Sequence, residues 1–266
     1  MSKKINIAVI TQNDEFAIPK NFKLLCDAEN IQVSELIIIN APSSLENKKF
    51  LFIKGFGVKQ SIKMVIVKLT FKLRSFVAST FSFIQRTDWL NLKAMCSFYE
   101  IPIRYEVNIN SEKVLKRLSK KNLDVVVSFS APTVFKDDLL NLPRYGCINL
   151  HCSALPSYAG VLPSFWVLFN NETKAGMSVH VMDSKIDNGE VLAQDTIDIS
   201  SIDNMFDVIQ ATKLNGGRMM LRVLDSIYEN NKLPEPVDTS QNTASYFSWP
   251  KVDDLKSLAL RGKRLI

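Results

Sequence analysis

Short apolar runs alternate with amphipathic stretches through the first 150 residues. Ile5–Ile10, Ile31–Ile39, Ile103–Val107, Leu123–Phe129 and Cys147–Leu150 are near-continuous and rich in Ile and Val, the pattern of strands buried on both faces. Between them a period near 3.6 predicts helices at Pro19–Ala28, Asp88–Tyr99, Ser111–Lys121 and Asp137–Asn141. Proline opens the first of these, where its missing N–H has no helical partner to lose. Asn110 or Ser111 is the expected cap of the third. Alternation of this kind predicts an α/β fold with a doubly wound, mostly parallel sheet. After residue 151 the rhythm changes. Met177–Met182 and Glu190–Ile199 read as neighbouring strands, Asn204–Asn231 as one long helix, and the tail from Leu233 as short and polar. There is no internal repeat and no low-complexity segment.

One stretch departs from this pattern. Residues 47–87 carry Lys48, Lys49, Lys54, Lys59, Lys63, Lys68, Lys72, Arg74 and Arg86 and no Asp or Glu. Ile62, Val65, Ile66, Leu69, Leu73, Phe76 and Val77 recur at helical spacing within it, and Met64, Val67 and Phe71 widen the apolar face. This predicts a basic amphipathic helix inserted into the α/β unit. The expectation carried forward is a helix packed on the core with a solvated lysine face. The alternative is contact with a membrane surface through 58–84.

Composition adds limits. The chain has 266 residues, 46% of them hydrophobic and 23% charged, which excludes a disordered chain. The net charge of +6 is local, because 47–87 alone holds nine basic residues. A general nucleic-acid surface spreads its basic residues over several elements. Four scattered cysteines do not make a disulfide scaffold, so a reducing, cytoplasmic setting is expected. The N-terminal apolar run is short and reads as a first strand, not a leader.

Several chemistries are absent. There is no G-x-G-x-x-G after the first strand and no P-loop motif. No zinc-ligand spacing surrounds His151, and no metal is expected. With only His151 and His180 in the chain, a histidine acid or base must be one of these two. His151 follows a strand, and residues two apart on a strand share a face. Asn149, His151 and Ser153 are therefore expected to point together, near the C-terminal end of a parallel strand where open α/β sheets bind ligands. A carboxamide beside an imidazole supplies donors for a developing oxyanion. His180, flanked by Val179 and Val181 on a strand, reads as a supporting residue. Cys152 should face away from His151, against a thiol nucleophile.

The segment Leu142-Pro-Arg-Tyr-Gly-Cys-Ile-Asn-Leu-His-Cys-Ser-Ala-Leu-Pro-Ser-Tyr-Ala-Gly-Val-Leu-Pro, with Gly176-Met-Ser-Val-His-Val-Met-Asp-Ser-Lys-Ile-Asp-Asn-Gly-Glu-Val-Leu, resembles the folate-dependent formyltransferases. That family includes methionyl-tRNA, glycinamide-ribonucleotide and nucleotide-sugar enzymes. The match is strong over roughly residues 120–200. The family's Asn-x-His pair falls on Asn149 and His151, and its Asp-x-Gly signature on Asp187 and Gly189. The resemblance implies a Rossmann-like core, 10-formyltetrahydrofolate as formyl donor, and Asn149, His151 and Asp187 as catalytic residues. It implies donor binding by the loops containing Ala131, Thr133 and Val134, and Ser184 and Ile186.

The chain departs from the family at Ala154, where Leu is usual, and at Ala159, where Arg is common. The loop Thr11–Glu15 lacks the glycines expected of a glycinamide-ribonucleotide enzyme. The 34 residues after 232 are too few for a tRNA-binding barrel, which argues for a nucleotide-linked amino sugar as the amine acceptor and against specific nucleic-acid binding. Transfer to methionyl-tRNA and hydrolysis of the folate are the alternatives. The expected layout is a catalytic domain over 1–232 with the 47–87 insertion, then a short extension over 233–266. A homodimer is compatible with this reading.

Overall fold

The computed structural model describes residues 4–14, 16–40, 49–81 and 90–266. Its centre is a seven-stranded sheet. In chain order the strands are β1 (Ile5–Gln12), β2 (Ile31–Ile39), β3 (Ile103–Glu106), β4 (Val125–Phe129), β5 (Cys147–His151), β7 (Lys174–Val181) and β8 (Val191–Asp198). Their spatial order is β3-β2-β1-β4-β5-β7-β8. The first five run parallel; β7 pairs antiparallel with both β5 and β8. A separate parallel pair joins β6 (Ala159–Gly160) to β9 (Tyr246–Phe247).

Strand alternation feeds two hydrophobic layers. Ile7 and Val9 of β1 point to one face, Ala8 and Ile10 to the other. The first face is covered by α1 (Ile18–Asp27), α3 (Leu92–Phe98) and α7 (Met205–Asn230), through residues such as Phe22, Met95 and Leu224. The second is covered by α4 (Glu112–Ser119) and α5 (Asp137–Leu140), through Val114, Leu118 and Leu139. A third cluster joins α2 (Lys49–Thr80), α6 (Pro163–Phe169) and α8 (Val252–Leu260), with Phe56, Phe165, Leu255 and Leu258 buried together.

Several elements differ from the sequence expectation. Of the helix expected over Asp88–Tyr99, residues 88 and 89 lie outside the described residues; the helix that is described starts at Leu92, where the Asn91 side chain caps it by accepting from Ala94 N–H at 2.9 Å. Ser111 sits at the N-cap of α4 without a side-chain hydrogen bond, and Asn110 instead accepts from Lys136 N–H at 2.8 Å. The tail is not merely polar. Leu255 and Leu258 are fully buried, and Tyr246–Phe247 adds a strand to β6.

The largest correction concerns α2. Gly57, at φ 81°, breaks the helix into two halves, a conformation that a side chain would disfavour. Beyond it, Met64, Val67, Phe71 and Ser75 turn toward the protein. The stripe expected to pack inward is exposed: Ile62, Val65, Ile66, Leu69, Leu73 and Phe76 are each 54–63% accessible. The helix has apolar residues on two faces, and periodicity alone does not say which one meets the core. Lys48, Arg86 and the rest of 82–87 lie outside the described residues.

Candidate active site

The site forms at the C-terminal ends of β1, β4 and β5. The strand order changes direction between β1 and β4, and a cavity of about 760 Å³ lies there, lined from these strand ends by Gln12, Ser128, Asn149 and His151. Asn149 and His151 project from alternate positions of β5, as strand parity requires. Ser153 does not join them. The strand ends at His151, and the Ser153 hydroxyl turns away to donate to the Ser157 carbonyl at 2.8 Å.

Register on the neighbouring strand supplies the second histidine. His180 lies directly opposite Asn149 in the β5–β7 ladder. Its Nε2 is 3.2 Å from Asn149 Nδ2, and its Nδ1 is 2.9 Å from the Val181 carbonyl. Burial, reinforced by the adjacent His151, pushes the His180 pKa below its ordinary 6.5. In the neutral ring, Nδ1–H donates to Val181 and Nε2 accepts one Asn149 N–H. The second N–H of that amide has no partner among the described residues.

Asp187 reaches these rings from the loop between β7 and β8. Its backbone is left-handed, with φ 52°. Gly189 lets the loop close: a Cβ there would lie 1.9 Å from the Val181 carbonyl oxygen. One carboxylate oxygen stands 3.4 Å from His151 Nδ1 and 3.7 Å from His180 Nε2. The other accepts the Gly160 N–H at 2.9 Å. His151 Nε2 is 3.1 Å from the Tyr158 carbonyl, so both of its ring nitrogens face acceptors.

The loop that presents Tyr158 and Gly160 is held by the tail. Ser245 Oγ accepts the Tyr158 N–H at 2.8 Å. The Phe247 ring stacks on Tyr158 at 5.2 Å and on Trp166 at 4.8 Å. Residues 245–247 thereby buttress both hydrogen bonds that orient His151 and Asp187.

Among the expected donor-binding residues, Ala131, Thr133, Val134 and Ile186 line the cavity. Ser184 does not, and it is exposed. Asp183 folds this loop on itself, accepting Lys185 N–H and Asn188 Nδ2–H, both at 2.9 Å, which leaves Ser184 on the outer side of the turn. Asp183 and Lys185 line the cavity instead. Cys152 also borders it, but burial raises its thiol pKa, against a thiolate nucleophile.

The sequence reading missed a further part of the lining. Asp14, from the first loop, and Lys213, from α7, form an ion pair at 3.0 Å on the cavity edge. Burial opposes ionisation of Asp14, but the Lys213 charge and the Phe16 and Ala17 N–H donors outweigh it and hold its carboxyl low. Burial likewise opposes the charge on Lys213, and Asp14 overrides it and raises the pKa. Phe16, Met64 and Phe206 add an apolar border, and Tyr246 and Trp249 come from the tail.

The model of the formyl transferase family, Formyl transferase, matches residues 83–224, just over half of the 266, and the chain belongs to that family. Among curated proteins it is 32% identical over 189 residues to the bifunctional polymyxin resistance protein ArnA of Wigglesworthia glossinidia brevipalpis, covering 70% of this chain and 29% of that one. It is 29% identical over 153 residues to the methionyl-tRNA formyltransferase of Trichormus variabilis, covering 57% of this chain and 46% of that one. The chain thus spans less than half the length of these two relatives. Its fold is shared with the crystal structure of an N-formyltransferase from Helicobacter canadensis in complex with folinic acid and dTDP-3-aminofucose. The TM-score is 0.56 at 17% identity, over 92% of this chain and 71% of that one.

Proposed function

We propose that the chain transfers a formyl group from 10-formyltetrahydrofolate to the primary amine of a nucleotide-linked amino sugar. The observation that carries this reading is the meeting of Asn149, His151 and Asp187 at one cavity, with Asp187 within 3.4 Å of His151 and both side chains largely buried. Family membership supports formyl transfer as the reaction. The Helicobacter canadensis relative, which holds a folate and a nucleotide amino sugar, supports the acceptor class.

The neutral amine attacks the formyl carbon and forms a C–N bond, and the carbonyl electrons move to oxygen. The free Asn149 N–H and a His151 N–H donate to that oxyanion, displacing the Tyr158 carbonyl from His151. Asp187 holds the His151 ring and accepts the amine proton, directly or through water. The bond from carbon to the folate nitrogen then breaks, that nitrogen takes up the proton, and the products are the N-formyl amine and tetrahydrofolate. The loops with Ala131, Thr133, Val134 and Ile186 form the donor wall. Asp14 and Lys213, on the cavity edge, would meet the acceptor. The four cysteines are free, which supports a reducing compartment such as the cytoplasm for this reaction.

The test incubates the chain with 10-formyltetrahydrofolate and a panel of nucleotide-linked amino sugars, methionyl-tRNA and no acceptor. Tetrahydrofolate release that depends on an amino sugar and matches formyl product one to one is the expected result. Release without acceptor, or only with methionyl-tRNA, would overturn the choice of acceptor.

A further inference from the structure

We propose that the outward face of α2 docks on an anionic lipid bilayer and lies in its surface. The apolar residues Val58, Ile62, Val65, Ile66, Leu69, Leu73 and Phe76 are 54–64% accessible, and apart from the adjacent pair Val65 and Ile66 they recur every three or four positions. At 100° per residue they fall within an arc of roughly 100°, over a length of roughly 27 Å. A soluble protein rarely leaves so continuous an apolar stripe uncovered.

The charges beside the stripe choose the occupant. Lys59 and Lys63 border it on one side, Lys68 and Lys72 on the other, and Lys49–Thr80 contains no acidic residue. A second copy of the chain seated here would set lysines against lysines at the flanks, where helix pairs place complementary charges. A nucleic acid would meet the lysines and leave Leu69, Leu73 and Phe76 in water. An acidic bilayer satisfies both features: acyl chains cover the stripe and anionic headgroups meet the lysine borders. No helix among the described residues is long and apolar enough to cross a membrane, so α2 rests on the surface and does not span it.

The inward face of the same helix connects this surface to the cavity. Met64 lines the cavity, and Phe71 meets Phe16 edge-on at 5.1 Å. Docking α2 would therefore hold the cavity close to the headgroups. The docking itself does not depend on which reaction the cavity performs.

The experiment is co-sedimentation of the chain with vesicles of phosphatidylcholine alone or mixed with phosphatidylglycerol. Wild type should sediment with the acidic vesicles and stay in solution with the neutral ones. Leu69→Gln with Leu73→Gln changes only exposed positions and should abolish sedimentation without lowering the melting temperature. Lys59→Gln with Lys63→Gln should weaken it about thirtyfold, at about tenfold per 1.4 kcal/mol and one such loss of about 1 kcal/mol per lysine. Absence of wild-type sedimentation would overturn the proposal. So would equal binding by the Leu69/Leu73 variant. A concentration-dependent dimer that this variant dissolves, with no vesicle binding, would assign the stripe to a second copy and overturn it as well.

Discussion

Asn149, His151 and Asp187 owe their places to different local causes. Strand parity sets the first two, and both were legible because Cys147–Leu150 reads as a strand and its next residues continue its alternation. Asp187 was legible only through the resemblance. Its approach needs a left-handed backbone and a close pass of Gly189 over Val181, neither of which a sequence pattern displays. His180 was read as supporting, and the ladder register specifies the manner: it lies across from Asn149 and holds one amide N–H. That arrangement has a pH consequence. The His180 pKa is depressed in the fold by burial and by His151, so the unfolded chain takes up its proton first as pH falls below 6.5. Its contribution is intact above that value and is lost as pH falls through the folded pKa. The melting temperature of wild type should therefore drop between about pH 7 and about pH 5 more steeply than that of His180→Gln. Thermal melts across that range check this, and parallel slopes would contradict it.

The central strands were legible because uninterrupted Ile and Val runs fit few other structures. The short elements around the site were not. The two residues of β6 and the two of β9 carry no periodicity and pair only because the chain brings them together across 87 positions. Their contact with the proposed catalytic group is direct, since β6 supplies the Gly160 N–H to Asp187 and Phe247 stacks on Tyr158. Removing the ring by Phe247→Ala should loosen that loop. The expected result is a lower melting temperature with a ten- to hundredfold loss in kcat, as misplacement of catalytic groups by about 1 Å produces. Steady-state kinetics with circular dichroism checks it; an unchanged kcat would show that the tail does not position the site. Helix α2 gives the opposite lesson. Its period was legible and its orientation was not, because Met64, Val67 and Phe71 offered the core a second apolar face.

Across the whole chain, the cavity draws on residues nearly 240 positions apart, from Gln12 to Trp249. Contacts this distant leave no mark in one sequence, which is why Asp14 and Lys213 escaped notice. Their ion pair at 3.0 Å ties the first loop to α7 at the cavity edge. Lys213→Met would leave the Asp14 carboxylate buried without its countercharge, at a cost of about 3 kcal/mol. Urea unfolding should show that loss as a lower midpoint with an unchanged slope. A stability equal to wild type would mean that water or another cation replaces Lys213. On the proposed placement of the amine acceptor beside Asp14 and Lys213, the same variant should raise the KM of the acceptor more than that of the folate.

The decisive measurement is the rate of formyl transfer under single-turnover conditions, with 10-formyltetrahydrofolate and the best acceptor, for wild type and His151→Ala. Loss of an oxyanion donor lowers such rates by about 100- to 1,000-fold. His151→Ala should fall by at least that much and melt within a few degrees of wild type, because its ring stands at the cavity edge and not in the hydrophobic core. A rate within about tenfold of wild type, in a folded variant, would contradict the assignment of the chemistry to Asn149, His151 and Asp187.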